Sequence, residues 1–97
     1  MRGTTMAAGG DGVVFYWRHG CVFCIDLQWR LRRTGLEYTR VNIRRDPGAA
    51  AFVRSVADGN ETVPTITVAG HAMVNPSKQQ VLDAVAAYAP HLLPASS

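Results

Sequence analysis

The chain has 97 residues, enough for one domain with one modest core and too few for two. Apolar residues make up 47% of it, which marks a globular chain, and no apolar run approaches the ~18 residues of a membrane-spanning helix. The formal charge of +3 is small and scattered, which argues against nucleic acid as a partner. The opening stretch Met1-Arg2-Gly3-Thr4-Thr5-Met6 has a basic residue but no apolar segment. Residues 1–12 therefore read as a flexible tail and not as a signal peptide. With no export signal, the two cysteines are expected in a reducing cytoplasm. A lone pair there is more often catalytic or metal-binding than structural.

Val13-Val14-Phe15-Tyr16-Trp17 is a short continuous apolar run, which suits a strand buried on both faces. Residues Val22 to Arg33 carry Cys24, Leu27 and Leu31 at helical spacing, and Thr34-Gly35 is a helix stop. Arg30, Arg32 and Arg33 fall near that helix's C-terminal end, where cations complement the dipole. Leu36 to Ile43 reads as a second strand with Val41 and Ile43 on one face. Asp46-Pro47 is a helix start, Asp as N-cap and Pro at the first helical position. The buried stripe of this helix is expected at Phe52, Val53 and Val56, and Asp58-Gly59 ends it.

Thr65–Val68 and His71–Val74 flank Ala69-Gly70, a hairpin signal. Ser77 with Gln80 forms a capping box. The helix it opens carries Val81, Leu82, Val85 and Tyr88, spaced to share one face. Pro90 closes it, and residues 90–97 read as a C-terminal tail. One domain over residues 13–89 follows, of class α/β and order β-α-β-α-β-β-α. The βαβ half favours a right-handed crossover and parallel strands, and the hairpin supplies antiparallel neighbours. A four-stranded mixed sheet flanked by three helices is the economical arrangement.

The chemistry concentrates in Gly20-Cys21-Val22-Phe23-Cys24-Ile25, which holds both cysteines. Cys21 falls just after the first strand and opens the first helix. A helix N-terminus carries about half a positive charge and free N–H groups, so it stabilises a thiolate, the reactive form of cysteine. Cys24 lies one turn further in, on the same face and nearer the core, where a higher pKa is expected. One sulfur is thus poised to attack and the other to resolve. Arg18 and His19 precede Cys21, and positive charge there favours the thiolate further. Structural zinc calls for four ligands; a second Cys pair is missing and His71 and His91 are not spaced as in a zinc finger, so no metal is expected. A structural disulfide across so short a loop would constrain the unfolded chain little. A redox dithiol is the remaining reading.

Thr62-Val63-Pro64-Thr65 is the second feature. Pro belongs before a strand or at its first residue. An ordinary turn is one reading. The other is a cis Val63–Pro64 bond beside the dithiol, leaving the backbone of Val63 free to pair with a peptide-like ligand.

Together, the element order, Cys21-x-x-Cys24 and Thr62-Val63-Pro64 resemble the glutaredoxin-type members of the thioredoxin superfamily, over roughly residues 13 to 89. Phe52-Val53, Ser55-Val56, Gly59-Asn60, Thr62-Val63-Pro64-Thr65 and Asn75-Pro76-Ser77 are similar to the mycoredoxins, glutaredoxin-like proteins of bacteria that use mycothiol. The resemblance implies a thioredoxin-like fold and a reductase of mixed disulfides between protein cysteines and mycothiol. Cys21 would attack the mycothiol sulfur, and a second mycothiol would regenerate it. Cys24 would serve a side route. Phe23 matches the aromatic usual before the second cysteine. The chain departs from the pattern at Val22, where Gly or Pro is common, and at Gly20, where mycoredoxins often carry an aromatic.

Glutaredoxins that bind glutathione share a Gly-rich turn and an acidic residue before the last helix. Here Asn75-Pro76-Ser77 stands instead, and Pro76 removes one N–H from that turn. Asn75 and Ser77 offer neutral hydrogen bonds that suit a sugar-bearing thiol, although the same three residues also make a good turn and N-cap. Arg18 is free to meet a carboxylate. The expected thiol-binding set is therefore Arg18, Phe23, Thr62, Val63, Pro64, Asn75 and Ser77, with mycothiol as co-substrate. Expected partners are a low-molecular-weight thiol and S-thiolated or disulfide-bonded proteins, with no membrane, and the chain is expected to be monomeric. Three alternatives stand beside this reading. One is a dithiol redoxin fed by thioredoxin reductase, for example an electron donor to ribonucleotide reductase. Another is a glutathione-linked glutaredoxin. The last is a module that holds an iron–sulfur cluster between two chains.

Overall fold

The computed structural model describes residues 12–94. The tail expected over residues 1–12 lies, Gly12 apart, outside the described residues, as do residues 95–97. Three helices and four strands follow in the expected order. They are β1 (Val13–Trp17), α1 (Val22–Thr34), β2 (Thr39–Asn42), α2 (Pro47–Val56), β3 (Thr65–Val68), β4 (His71–Val74) and α3 (Lys78–Tyr88). The sheet runs β2-β1-β3-β4, with β1 parallel to β2 and the other neighbours antiparallel. Among the described residues no helix is long and apolar enough to cross a membrane.

The two central strands explain the apolar run in β1. Val13 to Tyr16 and all of β3 are buried, as strands covered on both faces must be. Successive side chains point to opposite faces. Tyr16 meets the Phe52 ring of α2 at 5.3 Å between centroids, while Phe15 meets Tyr38 at 5.5 Å. The Tyr38 hydroxyl in turn donates to the Gln28 carbonyl of α1. So α2 covers one face of the sheet. The other face is covered by α1, which packs on α3.

Local chemistry sets the helix ends. The Asp46 carboxylate accepts the Ala49 N–H at 3.0 Å, with Pro47 in the first turn. Ser77 and Gln80 form both halves of the capping box. Gly35 ends α1 at φ 85°, and its N–H reaches the Arg32 carbonyl. The β3–β4 turn places Ala69 at φ 49° and Gly70 at φ 85°, the two left-handed positions a tight hairpin needs.

Four expectations change. The second strand stops at Asn42, because the Asn42 side chain accepts the Arg44 N–H at 3.0 Å and caps a single 3₁₀ turn. Ile43, expected on that strand, is buried from this turn instead. In α2 the fully buried positions are Ala49, Ala50 and Val53, with Phe52 and Val56 only half-buried; the small alanines let the helix lie close to the sheet. Tyr88 is exposed and stacks on His71, 3.7 Å between ring centroids, because β4 is an edge strand with open space beside it. The C-terminal tail expected from residue 90 begins as a 3₁₀ turn, Pro90–Leu92, whose Leu92 packs against the core. The ring of Pro90 presets φ for such a turn.

Ala69 tests the hairpin. An L-residue other than Gly, Asn or Asp is strained in the left-handed region, so Ala69→Asn should stabilise the fold by about 1 kcal/mol. A urea denaturation midpoint equal to or below that of the unaltered chain would contradict it.

Candidate active site around the dithiol

Strand β1 ends at Trp17, and the chain turns through Arg18, His19 and Gly20 into α1. Gly20 sits at φ 81°, a conformation that a side chain would disfavour. This turn sets Cys21 in extended backbone as the N-cap of α1. Its sulfur takes the role that a Ser or Asp oxygen usually fills. The Cys24 N–H donates to Cys21 Sγ at 3.1 Å. Cys21 Sγ also lies 3.7 Å from the Val63 carbonyl, to which the thiol donates.

The Val63–Pro64 bond is cis and lies beside Cys21, as anticipated. The loop is pinned from both sides. The Thr65 hydroxyl donates to the Thr62 carbonyl at 2.7 Å, and the Asn75 N–H donates to the Pro64 carbonyl at 2.7 Å. Asn75 reaches that carbonyl from φ 51°, a conformation Asn tolerates better than most residues.

Both cysteines are free thiols. Cys24 is buried, while Cys21 is half-buried. Burial pushes the Cys24 thiol up to about 12, helped by its hydrogen bond with Cys21 and opposed by the backbone of Arg18. Near neutral pH Cys24 is therefore a neutral thiol, in keeping with its deeper position.

The structure divides the remaining candidates between two sides of Cys21. Phe23, Pro64, Asn75 and Ser77 come together along an open groove of about 330 Å³. Phe23 projects into solvent there. The Ser77 oxygen accepts the Gln80 N–H, which leaves its O–H and one lone pair for other partners. Arg18 lies apart from this groove, in a recess of about 120 Å³ with Trp17, Cys24 and Arg40. Its guanidinium donates to the Glu61 carbonyl at 3.4 Å, and the Glu61 carboxylate pairs with Arg54 at 2.6 Å. The carbonyls of Thr62 and Val63 are engaged, by the Thr65 hydroxyl and the Cys21 thiol, and Val63 is buried.

Sequence reasoning missed the cations of the groove. Lys78 and Arg30 line it, Arg30 paired with Asp26 at 2.9 Å. The capping box held the signal for Lys78, since the residue after an N-cap stands beside the same cleft as the cap. Among the described residues no cluster of three or more His, Cys, Asp or Glu side chains could hold a metal ion.

The Glutaredoxin family profile matches residues 13–73, which include every element up to β4. A Mycobacterium tuberculosis protein named for the glutaredoxins is 37% identical over 70 residues, spanning 71% of this chain and 83% of its own length. Mycoredoxin 1 of Corynebacterium glutamicum is 33% identical over 80 residues, spanning 81% of this chain and 99% of its own. Among solved structures, glutaredoxin 1 of Archaeoglobus fulgidus superposes with a TM-score of 0.65 at 18% identity, over 77% of this chain and 86% of its own.

Two outcomes follow from the unequal thiols. Iodoacetamide near neutral pH should label Cys21 in the reduced native protein and spare Cys24, by peptide mass spectrometry; equal labelling would contradict the assignment. The pH dependence has a definite sign. Unfolded Cys24 ionises near the ordinary 9.0, and folded Cys24 near about 12. Between those values the unfolded chain holds fewer protons, so stability falls as pH rises. Burial raises Tyr16 and Tyr38 in the same direction. Denaturant titrations under reductant should show this decline, and Cys24→Ala should make it shallower.

Proposed function

The chain belongs to the glutaredoxin family, and on that premise we propose that it reduces mixed disulfides between protein cysteines and mycothiol, with Cys21 as nucleophile. As a glutaredoxin it is a thiol–disulfide oxidoreductase. The observation that supports Cys21 as the attacking sulfur is its place as helix cap, 3.1 Å from the Cys24 N–H and only half-buried. The observation that supports mycothiol is the likeness to Mycoredoxin 1 along nearly all of that protein.

The reaction runs as two exchanges. Cys21 Sγ, its proton given up to water, attacks the sulfur contributed by mycothiol and bonds to it; the original disulfide breaks, and the protein cysteine leaves as a thiolate that takes a proton from water. A second mycothiol thiolate then attacks the same sulfur, forming mycothiol disulfide and freeing Cys21. Asn75, Ser77 and Phe23 line the groove proposed for the sugar-bearing arm, beside Pro64. Arg18 supports the far side of the sulfur, and the backbone of Thr62 and Val63 borders the incoming chain. Cys24, protonated near neutral pH, is a slow resolving thiol, which lengthens the life of the Cys21–mycothiol intermediate. The proposed setting is the cytoplasm, where thiols are kept reduced, with the domain over residues 13–89 acting as a monomer.

Two further reductants fit particular features. Lys78 at the groove would suit a carboxylate of glutathione. A disulfide closed between Cys21 and Cys24 would suit direct reduction by a thioredoxin reductase, which returns both as thiols. One comparison separates all three. Turnover of a mixed-disulfide protein is measured with mycothiol, glutathione or a thioredoxin reductase as sole reductant. Mycothiol is expected to give the highest kcat/KM by about tenfold or more, the scale of a few lost hydrogen bonds. Equal or faster turnover with either other reductant sinks the mycothiol assignment. Cys21→Ser should abolish turnover, while Cys24→Ser should retain it.

A further inference from the structure

The core stripe of α1 is Cys24, Leu27 and Leu31. The opposite side carries a second stripe. Val22, Ile25 and Trp29 stand at i, i+3 and i+7 and are 72%, 65% and 59% exposed. Single exposed apolar residues are ordinary, but three large ones aligned on one helix face mark an interaction surface. They border an open groove of about 330 Å³ whose other walls are Asp26, Gln28 and Arg32.

The groove has a charge as well as an apolar floor. Asp26 is the only acid on α1, and it is paired with Arg30 at 2.9 Å. Arg32 forms one rim, and the Arg33 guanidinium lies over the Trp29 ring at 4.6 Å. A Trp flanked by Arg is the composition of interface hot spots. The excess of cations selects a partner with carboxylates and discourages a second copy of this chain, which would bring like charges together.

Position supplies the third argument. Val22 follows Cys21 directly. Asp26 lines both this groove and the groove of Phe23, Pro64 and Asn75, so the two lie on either side of it. A mixed disulfide likewise has two arms, a small thiol and a polypeptide. We propose that the Val22–Ile25–Trp29 groove docks the protein arm, a segment apolar beside its thiolated cysteine and acidic beyond it. This deepens the reading above and rests on one part of it, the attack by Cys21. It also gives Val22 a role, since Gly or Pro at that position would shorten the apolar floor at its reacting end.

The test uses peptides of one length, each joined by a disulfide to the same small thiol. One carries Leu and Glu around its cysteine, another Ser and Lys. Reduced protein with Cys24→Ser, and no free thiol present, attacks the small-thiol sulfur and releases the peptide thiol in a single turnover, followed by chromatography. The Leu/Glu peptide is expected to be released about tenfold faster, the difference made by a few hot-spot contacts. Adding Ile25→Ser and Trp29→Ser should bring the two rates together, with no change for a disulfide of two small thiols. Arg32→Glu should reverse the charge preference alone. Equal rates for both peptides, or an equal loss on peptide and small disulfide, would overturn the proposal. So would a wild-type dimer, or binding to anionic lipid vesicles, that the Ile25 and Trp29 changes abolish. No release from any disulfide would instead strike the Cys21 assignment itself, so the two failures are distinguishable.

Discussion

The structure of the site depends on a sulfur acting as a helix cap. Cys21 accepts the Cys24 N–H where most helices place a Ser, Thr, Asp or Asn oxygen. Two requirements are met by one contact. The first turn of α1 gains a partner for an otherwise unsatisfied donor, and the sulfur is held at the positive end of the helix. The Gly20 turn brings the chain out of β1 at the angle this needs. The Val63 carbonyl on the other side fixes which way the thiol points. Every other candidate group is placed relative to that sulfur.

Around it, the fold separates two environments that a shorter or flatter protein would merge. Cys24 faces the core stripe with Leu27 and Leu31, where loss of water keeps it a neutral thiol. Cys21 is only half-buried, against the Val63 carbonyl. The same helix also parts the surface into two grooves with Asp26 between them, one floored by Pro64 and Phe23, the other by Val22, Ile25 and Trp29. The pinning of the Val63–Pro64 loop by Thr65 and Asn75 ties the first groove to β3 and to the start of α3. Strand pairing and helix capping therefore support the site directly.

Much of this was legible because it is written in short-range chemistry. The Cys21–Cys24 spacing, Asp46-Pro47, Ala69-Gly70 and the Ser77–Gln80 box each act within a few residues, and each formed where expected. The central strand β1 showed as an unbroken apolar run, and β3 only through its hairpin turn. What periodicity cannot say is which neighbour covers a face. Tyr88 has the spacing of a core residue, but it lies against the edge strand β4 and stacks on the exposed His71 instead. Ile43 has the alternation of a strand, but the Asn42 side chain closes a turn first. Arg18 and Asn75 were grouped by charge and hydrogen-bonding character, yet Glu61 draws Arg18 to the far side of the dithiol. The α1 surface stripe was hidden for a related reason, since its residues are apolar and fit a helix whichever side is buried.

The sulfur cap also bears on redox poise. A thiol or thiolate sulfur accepts an N–H better than a sulfur already bonded to another sulfur. The Cys24 N–H is therefore better satisfied when Cys21 is reduced than when it carries a partner. A cap is worth ~1 kcal/mol, which for a two-electron couple corresponds to roughly 20 mV. That difference favours the reduced state and makes the Cys21 disulfide a slightly stronger oxidant. Helix stability and the driving force for electron uptake are thus coupled through one hydrogen bond.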